Sequence, residues 1–444
     1  MQIDHSPVIV WFRRDLRLKD NPALFYAAGL LRPIIPLYIF SKGDPWEMGE
    51  ASQWWLHHSL LNLQKHLKLV VRKGSSLSVI KELFKETGAS EIVFNCLYDA
   101  EEEEVLKKFP SKAFHGGVLF PPGSILTKEQ KPFKVFTPFW NACLKEKVRD
   151  PLPLPRKMTF FSKKIPSLDL TAPKGISFQD WEPGEDKAQA KLVAFVKKRA
   201  ASYQKDRDFP AIAGGSFLSP YLHFGEISPC QVWDIAHGKN AFLRQIVWRE
   251  FAIHLLKAFP YITHEPFNPK FKAFPWKKNA KFLKAWQEGM TGYPIVDAGM
   301  RQLICMGWMH NRLRMIVGSF LVKDLHISWK EGAAWFWEKL LDADLANNTF
   351  GWQWVSGCGT DAAPYFRIFN PTLQGEKFDP EGEYVKKFVP ELKLLDKKWI
   401  HKPWLAPEDV LAKAGIELGK DYPLPIVDHD QARKEALSYL KEIS

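Results

Sequence analysis

Paired cysteines are missing from this 444-residue chain. The five cysteines are an odd number, lie far apart and include no C-x-x-C motif; they are Cys96, Cys143, Cys230, Cys305 and Cys358. The sequence therefore predicts neither a disulfide framework nor a thiolate zinc site. We expect reduced, mostly structural cysteines and no bound metal.

Long apolar runs are missing as well. No stretch approaches the roughly 20 consecutive apolar residues that a membrane helix requires. The first ten residues also lack a basic segment followed by an apolar one, as a secretion signal would have. We therefore expect a cytoplasmic protein with no membrane partner, and we expect it to be a monomer.

The first third of the chain contains no nucleotide-binding glycine motif, but it alternates apolar, β-branched segments with amphipathic ones. The predicted strands are residues 7–12, 34–40, 69–71 and 91–95, and the predicted helices are residues 54–69 and 76–87, the latter ending at Gly88. This alternation favours a doubly wound, Rossmann-like parallel sheet in an α/β domain over residues 1–130. The acidic run at residues 101–104 is interpreted as a solvated helix start without chemistry.

The rest of the chain has a different pattern. Residues 131–187 are rich in proline and predict a connection between domains, ordered where Phe136, Phe139 and Trp140 can pack. After residue 188 the periodicity is helical, and strand-like alternation is missing. The clearest predicted helices are residues 188–203, 228–236, 241–259, 296–305 and 311–323. The sequence thus predicts a larger, all-α domain over residues 188–444.

Charge and aromatic content both bear on the partner. A net charge of +12 favours a polyanion, because each phosphate that a cation neutralises releases counterions. A basic but merely soluble enzyme explains the charge equally well. The 18 tryptophans are unusual, and although many belong in a core, indoles also stack on bases and flavins.

Two segments of the helical half combine apolar and polar residues at suggestive spacings. Residues 203–220 end in two glycines, two serines and a proline, a composition suited to a phosphate at a helix N-terminus. An ordinary capped helix start explains Ser219 and Pro220 at least as well. Further on, Trp308, Asn311 and Met315 are spaced to share one helix face, where a buried ligand is one way to satisfy the Asn side chain.

Residues 342–354 hold the densest cluster of candidate functional groups. Two acids, two amides and two indoles occur within 13 residues: Asp342, Asp344, Asn347, Asn348, Trp352 and Trp354. A solvated helix face explains this composition poorly. Neutral amide donors beside an aromatic wall are suited to a reduced, anionic isoalloxazine ring in a cavity with little water.

Several long motifs resemble the photolyase/cryptochrome family, and the resemblance extends over essentially the whole chain. The motifs are residues 11–24 (WFRRDLRLKDNPAL), 292–301 (GYPIVDAGMR), 351–354 (GWQW) and 359–378 (GTDAAPYFRIFNPTLQGEKF). The resemblance implies an α/β antenna-binding domain followed by an all-helical domain that binds FAD without a covalent bond.

The resemblance also implies which residues bind FAD. They are Tyr203, Gly215, Ser216, Phe217, Leu218, Ser219, Phe242, Arg249, Asn311, Arg314, Asp342, Ala343, Asp344 and Asn348. Arg314 and Asp342 match a pair beside the isoalloxazine, and Asn348 matches the residue that faces flavin N5. Gly215 stands where the family usually has Thr, so we expect one hydroxyl contact with the phosphates to be lost.

Electron transfer and DNA binding are assigned in the same way. Trp276, Trp329 and Trp352 match the family's three-tryptophan chain, which carries an electron from the surface to the photoexcited flavin. Contacts with damaged double- or single-stranded DNA are implied for Arg207, Gln245, Trp248, Asn311, Met315, Trp354 and Gln374. Trp248 and Trp354 among them match the two indoles that receive the flipped-out lesion.

The resemblance favours light-driven repair of cyclobutane pyrimidine dimers, the activity of a deoxyribodipyrimidine photo-lyase. Asn311 and Met315 match that class, whereas (6-4) photolyases have histidines there. The alternative is a cryptochrome-type photoreceptor with little or no repair activity, because Gln245 replaces the usual Glu. A DNA-binding module without catalysis is disfavoured by the cluster at residues 342–354. For the antenna pigment we expect 5,10-methenyltetrahydrofolate, with 8-hydroxy-5-deazaflavin as the alternative.

Overall fold

The chain folds into two compact units in a computed structural model that describes residues 5–41, 46–361 and 366–443. The first unit comprises Met1–Phe133, Thr137–Ala201 and Ser216–Ala258, and the second comprises Lys134–Phe136, Ser202–Gly215 and Phe259–Ser444. The domain boundaries expected after residues 130 and 187 stay predictions.

The first unit contains a five-stranded parallel sheet. Its strands are β1 (Val8–Phe12), β2 (Ile34–Ser41), β3 (Val70–Gly74), β4 (Glu91–Asn95) and β5 (Ser111–Phe114). Their order across the sheet is β3-β2-β1-β4-β5, so the chain reverses its direction of travel beside β1. The predicted doubly wound α/β fold is confirmed, and all four predicted strands are present.

Strand β5 is the one strand that the sequence did not predict. Its residues, SKAF, contain two polar side chains in four and are only partly buried. A short edge strand pairs on one side only, so it needs no apolar run. Nothing in its sequence distinguishes it from a loop.

Ten α-helices precede residue 259 in the described ranges. They are α1 (Pro22–Gly29), α2 (Glu50–Gln64), α3 (Ser76–Thr87), α4 (Ala100–Lys108), α5 (Phe136–Cys143), α6 (Glu185–Lys198), α7 (Tyr203–Asp206), α8 (Ser219–His223), α9 (Pro229–Ile235) and α10 (Asn240–Ala258). Helix α3 has the predicted bounds and ends at Gly88, whose φ of +67° is accessible to glycine. The predicted helix 188–203 is wrong at its end, because α6 stops at Lys198 and α7 is separate.

The acidic run in α4 is not simply solvated. Glu104 pairs with Lys108 at 2.9 Å on the surface, as the spacing of four predicts. Glu102, however, is buried and accepts hydrogen bonds from the backbone of Leu97 and Tyr98 while pairing with Arg13 at 3.0 Å. The interpretation of this run as a solvated face is therefore wrong for Glu102, which holds the loop after β4.

The described part of the second unit is helical, as predicted. Its longer elements are α11 (Ala280–Glu288), α12 (Pro294–Met306), α13 (Asn311–Ser319), α14 (Trp329–Lys339), α15 (Leu345–Ser356), α16 (Pro371–Phe378), α17 (Glu383–Phe388), α18 (Glu408–Ala414) and α19 (His429–Glu442). The predicted helix 311–323 ends earlier as an α-helix, because Phe320–Asp324 form one π-helical turn. Across the described ranges, no helix has both the length and the apolar character needed to span a bilayer.

The proline-rich connection is ordered where its aromatic residues are buried. Phe136, Phe139 and Trp140 all lie in the core, as predicted. Phe139 packs within the first unit against Phe251 and His254, with ring centroids 5.2 and 5.0 Å away.

An aromatic cluster in the first unit encloses one carboxyl group. Trp55 contacts Trp181, Tyr221 and Phe224, at ring-centroid distances of 4.8 to 6.3 Å. Glu226 is fully buried among them and accepts hydrogen bonds from Trp55 Nε1 at 3.0 Å and Ser59 Oγ at 2.6 Å. Burial raises the pKa of Glu226 from 4.5 to about 8, so its carboxyl group is protonated at neutral pH.

We expect this carboxyl group to make stability depend on pH. The folded pKa of Glu226 lies above the unfolded value, so its contribution is complete below about pH 4.5 and is lost as the pH rises to about 8. Glu226→Gln keeps the shape and stays neutral, and we expect the variant to gain about 2–4 kcal/mol over wild type between acidic and mildly basic pH. Denaturant unfolding at several pH values measures this.

The control is Glu182→Gln, which changes an exposed carboxyl group of the same unit that pairs with Lys187. Its stability should follow that of wild type across the same pH range. Parallel curves for wild type and Glu226→Gln would show that Glu226 does not titrate with the fold.

Candidate functional site

The predicted phosphate-binding segment begins in the second unit. Tyr203 opens α7 and is buried, and the Arg207 guanidinium lies 5.4 Å from its ring centroid. Asp208 pairs with Arg312 of α13 at 2.9 Å. Gly214 packs so closely that an added Cβ would lie 2.8 Å from Asp206 Cβ, and Gly215 follows it at the end of this part of the unit.

The continuation of this segment, residues 216–219, belongs to the first unit. Phe217 has a φ of +56°, a left-handed conformation that turns the chain just before α8. The N-cap position of α8 is Leu218, and no side chain caps the helix, so the ordinary capped start proposed for Ser219 is wrong. Ser216 Oγ accepts a hydrogen bond of 3.4 Å from the Leu218 backbone.

Helix α10 carries the other predicted residues of the first unit. Phe242 is buried against Phe195, 4.6 Å between ring centroids. Gln245, Trp248 and Arg249 are half-buried at a spacing that places them on one helix face. Arg249 Nη1 donates to the Gly117 carbonyl at 2.9 Å, so this guanidinium is bonded to the backbone of its own unit.

A buried acid lies next to Arg249. Glu250 is completely buried and accepts a hydrogen bond of 2.8 Å from the Leu119 backbone, and Arg249 Nη1 lies 3.2 Å from its other oxygen. Burial raises the pKa of Glu250 to about 7. The sequence motif did not single out Glu250, and only its burial distinguishes it from a surface acid.

Helix α13 differs from the prediction at its start. Trp308 lies before the helix, whose N-cap is His310, so Trp308 does not share a helix face with Asn311 and Met315. Asn311 is exposed and lies 3.9 Å from Met315 Sδ, measured from its amide nitrogen. Protein side chains therefore do not bury Asn311, and its expected contact with a ligand stays a prediction.

An ion pair joins α13 to the segment before α15. Arg314 Nη2 donates to both carboxylate oxygens of Asp342, at 3.0 and 2.8 Å, and Arg314 Nε donates to the Met309 carbonyl at 2.9 Å. Asp342 and Ala343 are buried, whereas Arg314 is partly exposed. This geometry holds an ion pair with no net charge at the start of residues 342–354.

Asp344 and Asn348 make hydrogen bonds at the start of helix α15. Asp344 is the N-cap and accepts from the backbone and side-chain amides of Asn347, at 3.0 and 2.7 Å. Asn348 Nδ2 donates to the Ala333 carbonyl of α14 at 3.0 Å. This bond joins two helices and uses one of the two N–H groups of the Asn348 amide, which leaves the second N–H and Oδ1 for another group.

Trp352 packs on the backbone of α14. An added Cβ at Gly332 would lie 2.1 Å from Trp352 Cη2, so no other residue fits at position 332 without moving the ring. Phe336 and Trp286 complete the surroundings, with centroids 5.0 and 6.2 Å from Trp352. No sequence pattern indicated Trp286 or Gly332 as neighbours of Trp352.

The other two tryptophans of the predicted chain differ in exposure. Trp329 is the first residue of α14, three residues before Gly332, and is 3% exposed, whereas Trp352 is 4% exposed. Trp276 is half-buried, and the next residue, Lys277, donates its backbone N–H to the His326 carbonyl at 2.7 Å, close to the start of α14. Trp329 and Trp352 thus lie at the N-terminal half of α14, and the backbone next to Trp276 is bonded to the segment just before that helix.

Two more residues of the second unit, Trp354 and Gln374, were predicted to contact DNA. Trp354 is half-buried and donates from Nε1 to the Asp361 carbonyl at 3.1 Å. Gln374 on α16 has a buried Oε1 with no hydrogen-bond partner among the described residues. Residues 362–365 of the motif lie outside those ranges. Within them, no group of three or more His, Cys, Asp or Glu side chains could hold a metal ion.

Comparison with known proteins gives consistent matches. The family model of DNA photolyase matches residues 8–156, and the model of the FAD binding domain of DNA photolyase matches residues 242–442. The chain is 46% identical to the deoxyribodipyrimidine photo-lyase of Agrobacterium fabrum, covering 99% of this chain and 98% of the relative. It is 37% identical to cryptochrome-1 of Arabidopsis thaliana, covering 98% and 70%.

Solved structures agree with these relatives. A bacterial class III photolyase from Agrobacterium tumefaciens superimposes with a TM-score of 0.95 at 45% identity, covering 100% of this chain and 98% of that one. An archaeal photolyase from Sulfolobus tokodaii, solved with two FAD molecules, gives a TM-score of 0.83 at 31% identity, covering 98% and 100%.

The contact between Gly332 and Trp352 leads to a test of the site. We expect Gly332→Ala to displace the Trp352 ring and to lower the free energy of unfolding by about 1–3 kcal/mol through overpacking. Gly351→Ala is the matched control, because Gly351 is helical, exposed and has nothing near its added Cβ. The control should be neutral or stabilising by up to about 1 kcal/mol.

Denaturant unfolding and tryptophan fluorescence measure both effects. A Gly332→Ala protein as stable as the Gly351→Ala protein, with unchanged fluorescence, would contradict the packing described above.

Proposed function

Because the chain belongs to the DNA photolyase/cryptochrome family, we propose that it repairs cyclobutane pyrimidine dimers in DNA with light, using FAD as its cofactor. The full-length similarity to a deoxyribodipyrimidine photo-lyase is the single observation that carries this proposal. When bound and reduced, FAD supplies one electron to the lesion on absorbing light and regains it after the cyclobutane ring has opened.

The residues of the second unit fit a flavin ring. The Arg314–Asp342 pair places two fixed charges of opposite sign there. Asn348 adds a neutral amide that the Ala333 carbonyl holds in place. A neutral amide beside a reduced flavin stabilises negative charge without competing for a proton. Asp344 is committed to capping α15, so we propose that its role is to hold Asn348 one turn further along the helix.

The tryptophans around α14 fit a relay of electrons toward the flavin. We propose that Trp352, Trp329 and Trp276 pass an electron inward one after another, starting from the half-buried Trp276. Contacts with Gly332 and Phe336 hold the Trp352 ring in one position. Fixed distances matter because electron transfer slows steeply as aromatic rings separate.

DNA is the partner that the charge and the aromatic residues support. The net charge of +12 favours phosphate contacts, which position a nucleic acid without reading its sequence. A dimer must leave the base stack to be repaired, and stacking on an indole recovers part of that cost. Trp248 and Trp354 are each half-buried, and the buried Gln374 Oε1 has no hydrogen-bond partner among the described residues.

A second chromophore is part of the proposal. We infer an antenna pigment bound by the first unit, with 5,10-methenyltetrahydrofolate expected and 8-hydroxy-5-deazaflavin as the alternative. The archaeal photolyase that holds two FAD molecules supports a second chromophore but not its identity. An absorption spectrum of the purified protein distinguishes a folate from a deazaflavin or a second flavin.

Repair is tested by illuminating the reduced, FAD-loaded protein with an oligonucleotide that contains one thymine dimer. We expect flavin absorption bands and a loss of dimers that needs light. Flavin bands without any loss of dimers would instead support the photoreceptor alternative, which the 37% identity to a plant cryptochrome keeps relevant.

Two variants test whether Trp354 contacts the lesion. Trp354→Ala should weaken binding of dimer-containing DNA by about 1–3 kcal/mol, the usual cost of one lost base stack. Trp404→Ala is the control, because Trp404 is half-buried in the same unit and packs on Tyr293 at 5.2 Å. If both variants bind dimer-containing DNA with equal affinity, Trp354 does not contact the lesion.

The replacement of a Glu by Gln245 gives a separate prediction. Gln245 is half-buried on α10, and its only side-chain bond in the described structure is a weak one of 3.4 Å to the Ala241 carbonyl. An amide donates to a thymine carbonyl but cannot supply a proton as a carboxylic acid does. We therefore expect Gln245→Glu to raise the number of dimers repaired per absorbed photon, with little change in DNA affinity.

The control for this change is Gln245→Leu, which removes hydrogen bonding altogether and should lower repair below wild type. If both variants repair as efficiently as wild type, position 245 does not act on the lesion.

A further inference from the structure

The opening motif, residues 11–24, contributes no residue to the proposed flavin contacts, relay or lesion contacts. It runs from the end of β1 into α1, within the first unit. Four of its polar side chains are nonetheless buried, each at most 3% exposed: Asp15, Arg17, Asp20 and Asn21. Buried polar groups need partners inside the protein, so the partners of this motif show what it holds in place.

The Arg17 guanidinium joins three separate parts of the first unit. Nε and Nη2 donate to the Asp20 carbonyl at 3.1 and 2.6 Å, and Nη2 also donates to the Gly116 carbonyl at 2.7 Å. Nη1 donates at 2.9 Å to the carbonyl of Gly225, which is 208 residues away in sequence. The planar fork of an arginine can bond several carbonyls in fixed directions, which the single ammonium of a lysine does less well.

Gly225 allows the motif to approach the turn between α8 and α9, residues 224–228. Its φ is +66°, and an added Cβ would lie 2.1 Å from the Arg14 carbonyl oxygen. The Leu16 N–H donates to the carbonyl of the preceding residue, Phe224, at 3.1 Å. A side chain at position 225 would therefore both strain the backbone and push the motif away from the turn.

Asp20 bonds the other end of the same turn. Its carboxylate accepts a hydrogen bond from the hydroxyl group of Ser228, the N-cap residue of α9. Arg149 Nη2 donates to the same carboxylate at 3.0 Å, and the Leu152 N–H donates to it at 2.9 Å. The turn is therefore bonded to the motif both at Gly225 and at Ser228.

The motif itself is anchored on α6. The Glu185 carboxylate, at the first residue of that helix, accepts hydrogen bonds from the N–H groups of Leu18 and Lys19 at 2.7 and 2.9 Å. Residues 14–20 are thus bonded on one side to α6 and on the other to the turn between α8 and α9.

Helix α8 transmits the position of this turn to the residues before it. It is only five residues long, and a helix of that length is not stable without contacts around it. The Leu222 N–H donates to the Leu218 carbonyl at 2.9 Å, so the helical bonding continues directly from residues 216–219. Moving the turn would therefore move these residues as well.

We propose that Arg17 is a positioning residue for FAD: through Gly225 it holds α8, and with it residues 216–219, in the conformation that binds the cofactor. This inference rests on the proposed use of FAD and on the expected contact of residues 216–219 with its phosphates. Arg17 acts through the backbone of the turn. The opening motif is therefore needed for FAD binding whether or not an antenna pigment is present.

The experiment measures how fast the FAD-loaded protein releases FAD after dilution in the dark, with free FAD separated by ultrafiltration. Arg17→Lys keeps the buried charge but loses the fork that bonds three carbonyls. We expect it to release FAD roughly three- to tenfold faster than wild type, the size of effect that one weakened charge-assisted hydrogen bond produces. A large excess of FAD should restore repair.

Arg32→Lys is the matched control. Arg32 is a partly buried guanidinium of the same unit that bonds Glu91 at 3.0 Å and the Ser6 carbonyl at 2.8 Å, away from the turn. Denaturant unfolding should show a similar loss of stability in both lysine variants, whereas Arg32→Lys should release FAD at the wild-type rate. Equally fast release from both variants would mean that lost stability is the cause, and would overturn the inference.

A second pair of variants tests the turn without changing Arg17. Gly225→Ala and Gly238→Ala both replace a glycine of the first unit that has a positive φ, +66° and +75°. Only Gly225 is closely approached, because nothing lies within 4 Å of an added Cβ at Gly238. We expect faster FAD release in Gly225→Ala than in Gly238→Ala.

The outcomes also separate this inference from the proposed function. Release at the wild-type rate in Arg17→Lys, or at the same rate in the two glycine variants, overturns the positioning role. A wild type that repairs no dimers, while the variants release FAD as expected, contradicts the proposed repair and supports the role of Arg17.

Discussion

The indole of Trp352 lies directly on the backbone of α14 because residue 332 has no side chain. The next residue on α14, Ala333, offers its carbonyl to Asn348, which stands one turn before Trp352 on α15. Residues four apart on a helix share a face, so a single helix–helix contact holds both side chains. The amide proposed to face the flavin and the indole proposed to donate to it are therefore fixed relative to each other.

Asp342 and Asp344, which lie just before this helix contact, are both bonded within the protein. Moving an unpaired charge out of water costs several kcal/mol, whereas a bonded pair offsets much of this cost. Arg314 and Asp342 form such a pair at the border, and Asp344 is used by the amides of Asn347. Both acids of this cluster thus have partners within the protein, while Asn348 keeps one N–H and Oδ1 for the contact proposed with the flavin.

Prediction from sequence succeeded where a local pattern has one physical cause. The β-branched runs gave four strands in a parallel sheet, and Gly88 ended α3 because it adopts a left-handed conformation. Prediction failed where distant contacts decide. Glu102 is buried because Arg13 and two backbone amides bind it, and Trp308 is excluded from α13 because His310 caps that helix.

The same distinction applies to the candidate site. The motif predicted Arg314 beside Asp342, and the structure has this ion pair. It also predicted a flavin contact for Arg249, whose guanidinium instead bonds the Gly117 carbonyl, a partner 132 residues away in sequence. That role stays a prediction. Trp286 and Gly332 carry no sequence signal, because a lone Trp and a lone helical Gly are common in any core.

The direction of the proposed relay follows from solvation. An indole that loses an electron becomes a cation, and a cation is least stable where water is excluded. Trp352 and Trp329 are almost completely buried, whereas Trp276 is partly exposed. Burial therefore does not distinguish Trp352 from Trp329, but the positive charge becomes more stable once it reaches Trp276, while the electron moves inward.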